Sequence, residues 1–135
     1  MGRKAKSARA ELLDAVIDAD LSRMSDLLAR GADPNVSDTA GWRPLHFAAQ
    51  RQNAVQIRML LKAGAEIDAC DGYGNTPLFR AVFNYREDGE TIRALVAGGA
   101  DPDRSNKSGI SPRSLAKTIA NYNVETVLHQ SELER

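Results

Sequence analysis

The chain has 135 residues, 42% hydrophobic and 27% charged, which suits one soluble globular domain and leaves no room for a second of ordinary size. Basic and acidic residues balance at 18 each, so no overall field points to nucleic acid or an anionic membrane. The single cysteine, Cys70, has no internal disulfide partner, which makes a reducing, cytoplasmic compartment the expectation, and no apolar run approaches the ~20 residues of a transmembrane helix.

The first residues, MGRKAKSARAELLDAV, are charged and then amphipathic, and lack the continuous apolar stretch of a secretory signal. Arg3, Lys4, Lys6 and Arg9 are the groups that would meet RNA or a lipid headgroup there; the expectation is instead a solvated tail over residues 1–9. A segment over 10–37 follows and closes on RGAD (30–33). At residue 38 a pattern begins that returns. Pro44, Pro77 and Pro112 stand at intervals of 33 and 35, and so do Gly41, Gly74 and Gly109. Asp38, Asp71 and Asn106 keep that register, as do RGAD, AGAE (63–66) and GGAD (98–101). The longer interval places two extra residues within NYREDGE (84–90), because the markers on either side of it keep their own spacing. Repetition at such a period is the signature of a solenoid.

Each marker has a mechanical reading. Asp38 opens a turn by bonding the backbone beyond it. Gly41 supplies a backbone shape other residues resist. Pro44 sits in the first turn of a helix, where its missing N–H costs nothing. LHFAAQ then forms a short helix, with Ala48 and Ala49 small enough for close packing. A second helix is predicted over 54–63, with Ile57, Leu60 and Leu61 on one side, and Gly64 ends it. AEIDACDGYGN runs extended into the next turn. One unit is therefore turn, helix, turn, helix, extended loop.

DTAGWRPLHFAA…LLKAGAEID and DGYGNTPLFRAV…LVAGGADPD together resemble the ankyrin repeat. NKSGISPRSLAKTIANYNVETVL is a degenerate further copy and ELLDAVIDADLSRMSDLLARGADPN an opening half-pattern, so the likeness covers roughly residues 10–130. It implies an all-α ankyrin-repeat solenoid of about four helix-turn-helix units with short extended β-turn or hairpin loops. The units are read as 10–37, an N-terminal cap without the Asp-x-x-Gly turn, then 38–70, 71–105 and 106–135, a C-terminal cap; together 10–135 is one domain. Arg43 replaces the family's Thr and forgoes a hydroxyl hydrogen bond. Phe79 replaces the His that ties neighbouring turns in the family, and Arg113 and Ser114 replace Leu-His in the last unit.

No catalytic constellation is visible. His46 lies in the PLH phrase, where the family uses it structurally, and Cys70 has no His nearby in sequence. Two His and one Cys argue against a zinc site, and no metal or other cofactor is expected. DGYGN lacks the acidic ladder of a calcium loop, and GGAD lacks the spacing of a phosphate loop. Glu87, Asp88 and Glu90 read as a solvated turn more readily than as a carboxylate pair. The chain therefore reads as a non-enzyme.

The family resemblance implies that a partner meets the loop tips and the first helix of each unit. Carried onto this sequence, those positions are Thr39, Ala40, Trp42, Gln50 and Arg51 in the second unit. In the third they are Tyr73, Asn75, Phe83 and Asn84. In the fourth they are Lys107, Ile110, Thr118 and Ile119, and in the first only Ile17 and Asp18. Aromatic residues and Arg dominate binding hot spots, so Trp42, Arg51, Tyr73 and Phe83 are expected to form one stripe across two units. Trp42 could instead lie flat on its neighbouring turn; Phe47 and Phe79 are assigned to core or inter-repeat packing. The insertion is expected either opposite the tips or near the concave rim. The expected activity is binding of another protein, as an adaptor or inhibitor, by a monomer that meets neither nucleic acid nor membrane. A dedicated immunity or antitoxin-type inhibitor of a toxin is the alternative, and a small enzyme with a site on the concave face the remote one. A nucleic-acid binder working through the basic N-terminus would lose affinity steeply with salt.

Overall fold

The computed structural model describes the backbone of residues 8–86, 88–119 and 122–135, so most of the basic tail, and Glu87 of the insertion, lie outside the described residues. Among the described residues eight helices follow one another: α1 (Ala8–Ile17), α2 (Leu21–Ala29), α3 (Pro44–Gln50), α4 (Ala54–Lys62), α5 (Pro77–Phe83), α6 (Glu90–Ala97), α7 (Pro112–Thr118) and α8 (Tyr122–Glu134). They pair as four antiparallel hairpins, α1–α2, α3–α4, α5–α6 and α7–α8. The first helices stack in one row, α1 on α3 on α5 on α7, and the second helices α4, α6 and α8 in another. This is the all-α solenoid expected from the repeat, with no strand among the described residues.

The odd-numbered helices from α3 onward each begin on a proline whose missing N–H would have found no helical partner anyway. The residue before the proline caps the helix. Thr76 Oγ1 accepts from the Phe79 N–H at 3.2 Å, and Ser111 Oγ from the Ser114 N–H at 3.1 Å. Arg43 has no hydroxyl to offer. There the reciprocal half of the capping box remains, with His46 Nδ1 accepting from the Arg43 N–H at 3.1 Å. Helices α2, α4 and α6 end alike. Gly64 takes φ +100° after α4, its N–H bonds the Leu61 carbonyl, and the Ala65 N–H bonds the Leu60 carbonyl. That double closure is a Schellman cap, repeated at Gly31 and Gly99.

The loops between units are tips built three times over. Asp38 Oδ1 accepts from the Ala40 and Trp42 N–H groups, Asp71 Oδ1 from Tyr73 and Asn75, and Asn106 Oδ1 from Ser108 and Ile110. Backbone bonds from Asp38 to Trp42, Asp71 to Asn75 and Asn106 to Ile110 close each tip as a small hairpin. The tips then stack, the Gly72 N–H on the Ala40 carbonyl and the Lys107 N–H on the Tyr73 carbonyl. Stacking at that distance requires glycine: a Cβ on Gly41 would lie 2.9 Å from the Gly72 nitrogen.

The core runs unbroken through the units. Leu12, Met24, Leu45, Ile57, Leu60, Leu78, Ile92, Leu95 and Leu128 are essentially inaccessible to water. Phe79 is buried and Phe47 is half-buried against the core, as the sequence indicated. Buried Gln56 and half-buried Gln52 add hydrogen bonds between units: Gln56 Nε2 donates to the Val16 carbonyl at 3.0 Å, and Gln52 Nε2 to the Ala81 carbonyl at 2.9 Å. Such groups are costly to bury unless bonded, so they fix the stacking register as well as strengthen it.

Candidate protein-binding surface

The sequence-derived positions separate into four environments. Thr39, Ala40 and Lys107 are exposed at the tips, with Tyr73 70% exposed and Ile110 40% exposed beside them. Gln50, Arg51, Asp18 and Thr118 are exposed near the ends of the first helices, where Phe83 is 60% exposed. Ile17, Asn84 and Ile119 are half-buried.

Asn75 departs from the expectation. It is buried, because both its carbonyl groups serve the joints between units. The backbone oxygen faces His46 Nε2 at 2.8 Å, and the side-chain oxygen accepts from Asn106 Nδ2 at 2.9 Å. It is scaffold, and we remove it from the contact surface. Trp42 and Ile110 occupy the same repeat position but lack this bonding, and they stay accessible.

Trp42 is half-buried in a cluster. Its ring lies 5.0 Å from that of Phe47 and 5.8 Å from that of His46, both tilted. The Arg80 guanidinium sits 4.5 Å over the indole, a cation–π contact. Arg80 is held there by Asp71, Nη2 to Oδ2 at 3.2 Å, while the other oxygen of Asp71 shapes the tip. Trp42 thus packs on its own unit and carries the neighbour's arginine. Arg80 was not among the residues singled out from sequence. The available signal was its repeat position, shared with Phe47 and Leu115 on the row of first helices.

The expected single stripe is therefore divided. Trp42 joins Arg80, while Gln50, Arg51 and Asn84 come together with Arg86 around a cavity of about 440 Å³. Arg86 belongs to the insertion, so the added residues reach the rim at the ends of the first helices. Units one and two turn between their helices through Ala19 (φ 54°) and Gln52 (φ 56°), left-handed without glycine. The third unit replaces that tight turn with a longer one, in which Tyr85 packs on the core and Arg86 is exposed.

Burial pushes His46 below its ordinary pKa, so the neutral ring is the native form, bonded through both nitrogens. Burial pushes Asp68 up, although the Asp101 N–H bonds its carboxylate. Among the described residues no group of three His, Cys, Asp or Glu side chains could hold a metal ion, and no helix is long and apolar enough to cross a membrane.

The family model of three ankyrin-repeat copies matches residues 12–106. Protein PhlB of Serratia liquefaciens is 39% identical over 106 residues, 78% of this chain and 46% of that protein. The zygote-specific protein 3 of Chlamydomonas reinhardtii is 33% identical over 85% of the chain and 30% of its own length. A putative ankyrin repeat-containing protein of Treponema pallidum is 36% identical over 76% of the chain and 34% of its own length. The chain thus spans less than half of each of these relatives. Repeat period, stacked hairpins and family match agree: the chain belongs to the ankyrin-repeat family, whose fold is a protein–protein interaction module.

Proposed function

We propose that the chain binds a partner protein through its tips and the row of first helices, without catalysis, as an adaptor or inhibitor. The observation that carries this reading is the display of large aromatics on rigid supports: Tyr73 70% exposed on a doubly bonded tip, and Phe83 60% exposed at the end of α5. A soluble domain gains nothing in folding from such exposure, and binding surfaces use it. The contact set is Thr39, Ala40, Trp42, Gln50, Arg51, Tyr73, Phe83, Asn84, Lys107 and Ile110. We place the protein in the cytoplasm on the strength of its single cysteine, and read it as a monomer. A dedicated immunity-type inhibitor is the narrower form of the same reading.

The test is capture of partners from the native lysate by the intact chain and by Tyr73→Ala/Phe83→Ala, with mass spectrometry of what is retained. The double variant should lose its partner while its thermal melt stays within a few degrees of the parent. Retention of the same partner at undiminished affinity would show that these aromatics do not form the contact.

A further inference from the structure

The cavity at the ends of α3 and α5 has one-sided chemistry. Gln50, Arg51, Asn84 and Arg86 line it, and among the described residues no carboxylate does. Arg43, Arg58, Arg80, Arg93 and Arg113 each hold a carboxylate within 3.3 Å. Among the described residues Arg51 and Arg86 hold none, and neither do Arg23, Arg30, Arg104 and Arg135, but only Arg51 and Arg86 share a cavity. Arg51 is nevertheless fixed, since its Nη1 donates to the Ile17 carbonyl at the end of α1. Asn84 is fixed as well, its Nδ2 donating to the Arg80 carbonyl at 2.9 Å. The cavity therefore holds two guanidinium groups with no carboxylate partner among the described residues, one of them anchored by the Ile17 carbonyl, on a chain whose formal net charge is zero. Phe83, one residue before Asn84, places an exposed ring on the same turn.

We infer that this cavity receives an Asp or Glu side chain of the bound partner, with a neighbouring apolar residue of the partner lying on Phe83. The inference rests on the protein-binding reading and adds the partner's chemistry. A planar carboxylate suits the guanidinium fork, which can donate two parallel N–H bonds to it. The apolar neighbour is what an exposed phenyl ring can bury. The two-residue insertion acquires a role, because it supplies the second arginine.

The test pans the full chain against a phage-displayed random dodecapeptide library and measures the affinity of selected peptides for the parent, Arg86→Glu and Tyr73→Ala. Selected peptides should carry Asp or Glu beside an aliphatic or aromatic residue. Arg86→Glu should weaken them about tenfold, more at low salt than at high, with the melt unchanged. Changing the peptide's acid to Lys should restore binding to Arg86→Glu. Peptides that lose affinity for Tyr73→Ala but keep it for Arg86→Glu would overturn the cavity assignment and leave the protein-binding reading standing. A library that yields no binder would overturn both. Binding of a random single-stranded RNA pool that Arg86→Glu abolishes would show the arginines to be serving phosphates, and would equally overturn the assignment.

Discussion

The third residue of the first helix is His46 in the second unit, Phe79 in the third and Ser114 in the fourth, on three nearly superposable backbone turns. His46 bonds its own cap and reaches across to Asn75 of the next unit. Phe79 cannot reach, and there the side chains of Asn75 and Asn106 bond each other instead. Ser114 turns inward to its own cap, Ser111. The fourth unit is then held by Arg113, which stands where Leu45 and Leu78 are buried in the units before it. One guanidinium grips two carboxylates, Glu132 at 2.8 Å through both oxygens and Asp103 at 2.7 and 3.3 Å. The interior joint is thus buried and neutral, whereas the terminal clamp is charged and partly wet. The interchange shows that the repeat prescribes the geometry of the turn, while the bond that secures it is open to substitution.

The strongest way to break the interior half is Leu60→Ala. The side chain is fully buried between the helices of the second unit, and its loss should cost about 2–5 kcal/mol, read from chemical denaturation. A repeat array depends on each neighbour, so the loss should spread beyond its own unit. An unchanged midpoint would show that the second unit is not coupled to the rest.

His46→Ala comes next. It leaves the Arg43 N–H without its partner and takes one of two donors from the Asn75 carbonyl, which keeps the Asp71 N–H, a loss of about 1–3 kcal/mol. His46→Phe copies the third unit's own solution and should recover part of that by filling the space. Equal destabilisation by Ala and Phe would show that the two joints are not interchangeable.

Acid should separate the joint from the clamp. Because the folded-state pKa of His46 is depressed below 6.5, the unfolded chain binds the proton more tightly. Its contribution is full above about pH 6.5 and is lost as pH falls from there toward the depressed value. Asp103 and Glu132 are held below 3.8 and 4.5 by Arg113, so their contribution persists to lower pH and fades as pH falls through those values. Asp68, whose pKa is raised, works in the opposite sense and loses stability as pH rises through the carboxylate range. His46→Phe should abolish the near-neutral fall and leave the acidic one. The reverse result, from melts across the pH range, would reassign the two.

The smallest expected effect belongs to Arg113→Leu, which restores the residue type of the other units. Exposure discounts the ion pairs, with Asp103 65% exposed, so the net change should be about 1 kcal/mol or less. A loss as large as that from His46→Ala would mean the clamp is a principal support of the last unit.

Much of this was legible before the structure. The phase of Pro44, Pro77 and Pro112 located the first helices, and Gly64 the end of the second helix of its unit, because backbone punctuation depends on local sterics alone. Register could not say which way a side chain at a given place turns. Trp42, Asn75 and Ile110 share one position, yet Asn75 is buried, because its bonds to His46 and Asn106 lie 29 and 31 residues away in sequence. Arg80 escaped notice for the same reason: its indole partner is one repeat away. The insertion was visible as two surplus residues, but the side to which it sends Arg86 depends on Tyr85 anchoring in the core.

The close approach at Gly41 acts as a ruler. A methyl group on Gly41 would press to 2.9 Å from the Gly72 nitrogen, and one on Gly74 to 3.0 Å from the Lys107 nitrogen. Helices keep their own separation through side chains, so the tips alone have a spacing fixed by bare backbone. The ratio of those two spacings sets the bend of the array. A single methyl at Gly41 would wedge two tips apart while the helices behind them held, and would so alter the curvature offered to anything lying across them.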